Sequence, residues 1–150
     1  MPAQNDLDKK YIEMAQCWAQ LSKARRNKVG CLIVKDGSII SDGYNGTPRG
    51  FDNNCEIEME TYSMLASQAY QLVTRPEVLH AESNAITKLA KSTQSSSGST
   101  LYTTASPCIE CSKLIIQSDI LRVVYHQLYR DDEGIRLLKK AGIIVEECAL

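Results

Sequence analysis

His80-Ala81-Glu82 and, further along, Pro107-Cys108-Ile109-Glu110-Cys111 are the residues whose types and spacing can do chemistry. His80, Cys108 and Cys111 supply one imidazole and two thiolates, the donor set of a catalytic zinc site that keeps its fourth position for water. Zinc lowers the pKa of such a water from about 15.7 to about 7, so a nucleophile is available at neutral pH. Glu82, two residues after the histidine, is placed to take a proton from that water and pass it on. The pattern predicts hydrolysis with a carboxylate as acid–base.

The spacing adds detail. Cys108 and Cys111 stand at i and i+3, so a helix starting near Pro107 presents both sulfurs on one face. Pro107 suits the first helical position, where no backbone N–H is needed, and the positive end of that helix favours thiolates. Taken singly, each half has a plainer reading. A Cys-x-x-Cys is also a redox pair or half of a structural zinc site, and His-x-Glu occurs by chance. The sequence has no second Cys-x-x-Cys and no His-x-x-x-His to complete a four-ligand site. His126, the only other histidine, lies beside an apolar strand and reads as packing or surface.

The elements that must position these residues follow from periodicity. Residues 6–21 read as a helix with Leu7, Tyr11, Met14, Ala15, Trp18 and Leu21 on one face and Asp6 as N-cap. Residues 29–34 and 39–44 form a hairpin about Asp36-Gly37. The stretch 43–50 is a glycine-rich loop, and 55–72 has loose helical character inside an insertion of about 51–77. A helix over 78–90 carries His80 and Glu82, which reach one ion only at its first turn. Residues 91–99 are a Ser-rich link. Strands at 100–104, 121–125 and 143–147 alternate with helices at 108–117 and 133–141, the last stopped by Gly142. This order predicts one domain of α/β class, a three-layer α/β/α arrangement around a mixed five-stranded sheet. Its β-α-β crossovers should be parallel and right-handed and its first two strands antiparallel.

Composition excludes some classes. With 150 residues and a formal net charge of −1, the chain has no basic block, which argues against a dedicated nucleic-acid binder. Six cysteines in a chain this long do not suggest a disulfide scaffold; Cys17, Cys31, Cys55 and Cys148 read as buried or incidental thiols. There is no apolar signal core and no run approaching a membrane span of about 20 residues. A cytoplasmic protein without membrane partners is expected.

The joined motifs match the His-x-Glu and Pro-Cys-x-x-Cys signature of zinc-dependent nucleobase deaminases. Four segments together resemble the deoxycytidylate (dCMP) deaminase branch: His80-Ala81-Glu82-Ser83-Asn84-Ala85-Ile86, Pro107 to Cys111, the loop from Gly43 to Gly50, and Tyr125 through Tyr129-Arg130-Asp131. Ser22-Lys23 and Lys28-Val29-Gly30 extend the resemblance. It implies the cytidine-deaminase fold, hydrolysis of dCMP to dUMP and ammonia, and supply of dUMP for dTTP synthesis. It further implies a homohexamer, activated by dCTP with Mg2+ and inhibited by dTTP. By the same resemblance His80, Cys108 and Cys111 bind zinc and Glu82 shuttles protons. The Ala81 N–H and Ser106 carbonyl read the cytosine edge, Asn45 contacts the sugar, and Tyr129 contacts the 5′-phosphate. Gly43, Tyr44, Asn45, Gly46 and Arg49, with Arg26, Asn27 and Lys28 of the 22–28 loop, resemble the regulatory nucleotide region. Arg25, Arg26, Lys28 and Arg49 can pair with a triphosphate; the plainer reading is a surface turn with solvated charges. Asn84 either stabilises the motif helix or reaches an effector site across a subunit boundary. Tyr125 is expected in the core near the zinc. Some family members carry a second, structural zinc at the insertion; here residues 51–78 hold no histidine, and one zinc per subunit is expected.

Two other readings compete. A related zinc deaminase would act on a nucleoside or on tRNA adenosine; the neutral charge and the Tyr-Asn-Gly loop weigh against nucleic acid, and Tyr129-Arg130 favours a nucleotide. A non-catalytic zinc-binding regulatory module would have no need of Glu82.

Overall fold

Side chains alternate across the strands of the central sheet, and that alternation sorts the chain into layers. The computed structural model describes residues 1–63 and 66–150. Its elements, in chain order, are α1 (Gln4–Ala19), β1 (Gly30–Lys35), β2 (Ser38–Tyr44), β3 (Glu56–Ser63), β4 (Ala66–Thr74), α2 (Ala81–Leu89), β5 (Thr100–Ala105), α3 (Ile109–Gln117), β6 (Arg122–Gln127), α4 (Glu133–Lys140) and β7 (Ile144–Glu147). Five strands form one mixed sheet in the order β2-β1-β5-β6-β7. β1 pairs antiparallel with β2 and β5, while β5–β6 and β6–β7 are parallel. Cys31, Ile33, Leu101 and Val123 face α2, α3 and α4, in a core with Ala81, Ala85, Ile115 and Leu138. Their neighbours Leu32, Val34, Tyr102 and Val124 face α1, against Ile12 and Ala15. One helix below the sheet and three above it make the expected three layers.

Several local expectations shift. The α1 N-cap is Ala3, without a side-chain cap bond, and Asp6 lies in the first turn, where its charge suits the helix dipole. The buried stripe of α1 is Asp8, Ile12, Ala15 and Ala19, whereas Met14, Trp18 and Leu21 stay exposed. Small residues face the sheet because α1 lies almost on β1: a Cβ on Gly30 would sit 1.9 Å from the Ala15 carbonyl oxygen. Trp18 instead donates its indole N–H to Asp42 at 2.9 Å.

The stretch 55–72 is not helical. It forms a two-stranded antiparallel hairpin, β3–β4, outside the main sheet. Glu56-Ile57-Glu58-Met59-Glu60-Thr61 alternates polar and apolar residues with the period of a strand. Its Glu and Met residues favour helices intrinsically, but Ile57, Thr61 and Val73 favour strands and cross-strand pairing prevails, as at Ile57↔Val73 and Glu58↔Leu72. Arg75 ties the base of the hairpin down, with its backbone N–H on the Cys55 carbonyl at 2.8 Å and its guanidinium on Asp52 at 2.9 Å. Tyr125 is half-buried in β6, paired with Glu147 of β7, and lies outside the core.

One polar cluster crosses the α1 side of the sheet. Asp8 accepts hydrogen bonds from Arg122 at 2.9 and 2.6 Å and from the Tyr102 hydroxyl at 2.7 Å. Burial pushes its carboxyl up, but these bonds and one from Gln4 prevail and hold it below its ordinary value. The contribution to stability is therefore fully present above the unfolded carboxylate pKa, near 4, and is lost as pH falls through the lowered folded value. Asp8→Asn should cost about 3 kcal/mol at neutral pH and remove that acid-limb dependence. Urea unfolding of both proteins between neutrality and acid pH measures this, and equal slopes on the acid limb would contradict it.

Candidate active site

Two helix N-termini converge on the predicted ligands. His80 is the N-cap of α2, extended at φ −72° and ψ 156°. Cys108 is the N-cap of α3, at φ −71° and ψ 170°. Pro107 thus precedes the cap instead of opening the helix, and α2 starts at Ala81, because Leu79 is held extended by Gly46. The Leu79 N–H donates to the Gly46 carbonyl at 2.8 Å, and the Gly46 N–H donates back at 3.1 Å.

Cys108 Sγ and Cys111 Sγ each lie 3.4 Å from His80 Nδ1, and the three donor atoms fall within 4.8 Å of one another. Zn–S and Zn–N bonds of about 2.3 and 2.0 Å in a tetrahedron separate S from N by about 3.5 Å, so the three donors fit one zinc ion. The Cys111 N–H points at Cys108 Sγ at 3.5 Å, so the sulfur does the capping work of a Ser or Asp side chain. The Cys108 thiol is held down to about 3, chiefly by a hydrogen bond from the Cys111 thiol, with His80 and that N–H assisting against burial. The Cys111 thiol is pushed up because it donates that bond and is buried. The negative charge therefore sits on Cys108, ready for a cation.

Glu82 is 4% exposed. Burial raises its pKa, opposed by its own backbone N–H, His80 and Thr103. Thr103 Oγ1 lies 3.1 Å from Glu82 Oε1 and 2.8 Å from the Ala105 carbonyl. A hydroxyl carries one proton, so when Thr103 donates to Ala105 it accepts from a protonated Glu82, and when it turns to Glu82 it serves the carboxylate. Thr103 was not singled out in sequence; its only signal is an inward place on β5.

One cavity is lined by His80, Ala81, Glu82, Ser106, Cys108 and Tyr129 together with Arg26, Asn27, Asn45 and Glu56. Ser106 Oγ accepts the Tyr129 N–H at 2.7 Å, and Arg130 stacks 5.3 Å from the Tyr129 ring centre. Asn45 binds the main chain of its neighbours: Oδ1 accepts the Val29 N–H and Nδ2 donates to the Asn27 carbonyl, both at 2.8 Å. Asn84 Nδ2 donates to the Tyr44 carbonyl at 3.0 Å, so it braces α2 against β2. Gly43 permits that close packing, since a Cβ there would meet the Ala81 carbonyl oxygen at 2.3 Å. Gly134 does the same for α4, where a Cβ would lie 2.1 Å from the Pro107 carbonyl oxygen and 2.9 Å from the Cys108 carbonyl carbon. Lys28 and Arg49 are exposed and line no part of this cavity, whereas Arg26 and Asn27 do. His126 donates its Nδ1–H to the Cys148 carbonyl, 2.8 Å away, and Cys55 is buried with its thiol 3.8 Å from the Asn53 carbonyl.

Residues 5–127 match the model of the cytidine and deoxycytidylate deaminase zinc-binding region. The chain belongs to that deaminase family. It is similar to the deoxycytidylate deaminase of Saccharomyces cerevisiae, at 35% identity over 141 residues, 93% of this chain and 44% of the relative. The chain thus spans less than half the length of that yeast relative. It is also similar to the deoxycytidylate deaminase of Enterobacteria phage T4, at 33% identity over 165 residues, 89% of this chain and 86% of the relative. The crystal structure of dCMP deaminase from the cyanophage S-TIM5 in complex with dCMP and dUMP shares the fold with a TM-score of 0.84. The two are 41% identical, over 97% of this chain and 99% of that chain.

Replacing Cys111 by Ser should reduce zinc from about one ion per chain to near none, with far-UV circular dichroism retained. Gly134→Ala should cost about 1–3 kcal/mol through overpacking against Pro107 and Cys108 and weaken zinc retention against a chelator. Metal analysis and thermal melts read both; a Gly134→Ala protein as stable and as zinc-retentive as the parent would refute the packing argument.

Proposed function

We propose that this deaminase chain hydrolyses dCMP to dUMP and ammonia. The observation that carries the reading is the buried Glu82 beside the His80–Cys108–Cys111 donor set, in a cavity also lined by the polar side chains of Arg26, Asn27 and Asn45. The likeness to deoxycytidylate deaminases over most of the chain, and to a structure holding dCMP and dUMP, supports this substrate.

Zinc held by His80, Cys108 and Cys111 supplies a water acidic enough to attack at neutral pH. The remaining work belongs to the chain. Glu82 takes the proton of the attacking water on Oε2, Oε1 being held by Thr103, and delivers it to the ring nitrogen. It then takes the proton of the hydroxyl now on the ring carbon and passes it to the amine, which leaves as ammonia while that oxygen becomes the new carbonyl. The raised pKa of Glu82 suits a group that must both accept and donate. The Ala81 N–H, in the first turn of α2, lacks an intrahelical acceptor and binds the cytosine carbonyl. The Ser106 carbonyl accepts from the exocyclic amine. Asn45 keeps one lone pair and one N–H for the sugar, and Tyr129 with its stacked Arg130 faces the 5′-phosphate.

Regulation by dCTP with Mg2+ and by dTTP, and a homohexamer, form the outer part of the proposal, along with a single domain carrying an insertion at about 51–77. The Gly43–Gly50 loop supports the regulatory part, because its bonds through Gly46 and Tyr44 reach Leu79 and Asn84 on either side of His80. A ligand there would bear directly on the segment holding the first zinc donor.

Ammonia release and loss of cytosine absorbance test the substrate, with dCMP, cytidine, deoxycytidine and a short RNA in parallel and dCTP–Mg2+ or dTTP added separately. Turnover of dCMP alone supports the reading; turnover of the nucleoside or the RNA replaces it. Glu82→Gln should lower kcat by at least about 10³-fold with zinc content unchanged, and Thr103→Val by about tenfold. Full activity in Glu82→Gln would sink the mechanism.

A further inference from the structure

Glu56 opens β3 and is 2% exposed, yet it lines the cavity that holds His80 and Glu82. A buried carboxylate is costly unless its oxygens are bonded. Here the strongest partner is main chain: the Arg25 N–H donates to Oε1 at 2.8 Å and to Oε2 at 3.1 Å. The Arg25 side chain adds a longer contact, Nε to Oε2 at 3.4 Å, and its Nη2 donates to the Glu56 carbonyl at 3.3 Å.

That bond sits in a series. Ser22 Oγ accepts the Ala24 N–H at 3.2 Å and donates to the Asn45 carbonyl at 2.8 Å. Glu56 takes the Arg25 N–H, and Asn45 takes the Asn27 carbonyl and the Val29 N–H. Three side chains thus grip four polar groups of the 24–29 main chain, and of the three only Glu56 comes from the insertion. The gripped stretch carries Arg26 and Asn27, which line the same cavity as His80 and Cys108. Arg26 is further tied to the hairpin by Nη2 to Thr74 Oγ1 at 2.6 Å. A carboxylate left unpaired in this wall would repel a phosphorylated substrate; the Arg25 bonds hold its charge in place.

We propose that Glu56 is a positioning residue: by holding the Arg25 main chain it fixes the Arg26–Asn27 wall and so sets how tightly the sugar–phosphate end of the substrate is bound. This rests on the dCMP reading for its effect on binding, and on geometry alone for its effect on the wall.

The test uses the zinc-loaded full chain as parent, Glu56→Gln and Glu58→Gln. Glu58, whose carboxylate lies 4.0 Å from Arg25 Nη1 and is 63% exposed, controls for loss of a nearby charge. Glu56→Gln turns an amide NH2 toward the Arg25 N–H and loses one acceptor. Amide hydrogen exchange in peptides covering residues 24–29 should quicken, with α2 and α3 unchanged. KM for dCMP should rise about tenfold while kcat stays within about twofold, the pattern of lost uniform binding. Glu58→Gln should match the parent on both scales. Unchanged exchange and KM in Glu56→Gln would overturn the proposal. So would an equal effect from Glu58→Gln, or a fall in kcat at constant KM. If Glu56→Gln does not accumulate, Glu56→Asp, which withdraws the carboxylate by one methylene, is read on the same scales with the same expected directions. If the parent does not turn over dCMP, the substrate reading fails by itself, and hydrogen exchange still decides the positioning role.

Discussion

Everything at the candidate site depends on bringing two helix N-termini within bonding distance of one cation. A helix start leaves its first N–H groups without intrahelical acceptors, and these groups favour negative charge. α2 begins just after His80 and α3 just after Cys108, so the turn that places Cys108 also favours its thiolate, through the Cys111 N–H. Such convergence demands close packing of the elements behind it. Gly43 and Gly134 supply it, because a single methyl at either position would collide with main chain next to the ligands.

The sheet converts this local requirement into a cavity. β5 carries Thr103 inward beneath Glu82, and the turn after it carries the buried Ser106 into the cavity lining. Glu82 is buried but not isolated, which raises its pKa without leaving it unpartnered. The remaining wall is built of main chain held by side chains from three distant segments, at Ser22, Asn45 and Glu56. A wall held in this way is stiff where a surface loop would be mobile, and stiffness limits the entropy lost on binding a small polar ligand.

The donor set, the nearby carboxylate and the five strands of the main sheet were legible in sequence because each rests on a local signal. Cys-x-x-Cys and His-x-Glu are spacing patterns; Asp36-Gly37 is a turn signal, met by two positive φ angles, 50° and 77°; apolar runs alternate with helical periods. The hairpin at 56–74 is ambiguous in sequence, because its Glu, Met, Leu and Gln residues favour helix while Ile57, Thr61, Tyr70, Val73 and Thr74 favour strand. The face of α1 was misjudged for a related reason: Ala15 and Ala19 are buried for their small size, and Asp8 for its bonds to Arg122 and Tyr102, neither of which hydrophobicity ranks.

By itself, then, the sequence determined the chemistry available: a His–Cys–Cys donor set, a nearby carboxylate, and an alternating α/β order able to carry them. Only the tertiary structure decided which other groups share that cavity. Thr103 beneath Glu82, Glu56 behind Arg25, and Arg26 and Asn27 in the wall are brought there by contacts between segments far apart in the chain. Such contacts leave no periodic trace, because hydrogen bonding to a main-chain N–H asks for one acceptor at one place and imposes no pattern on its neighbours.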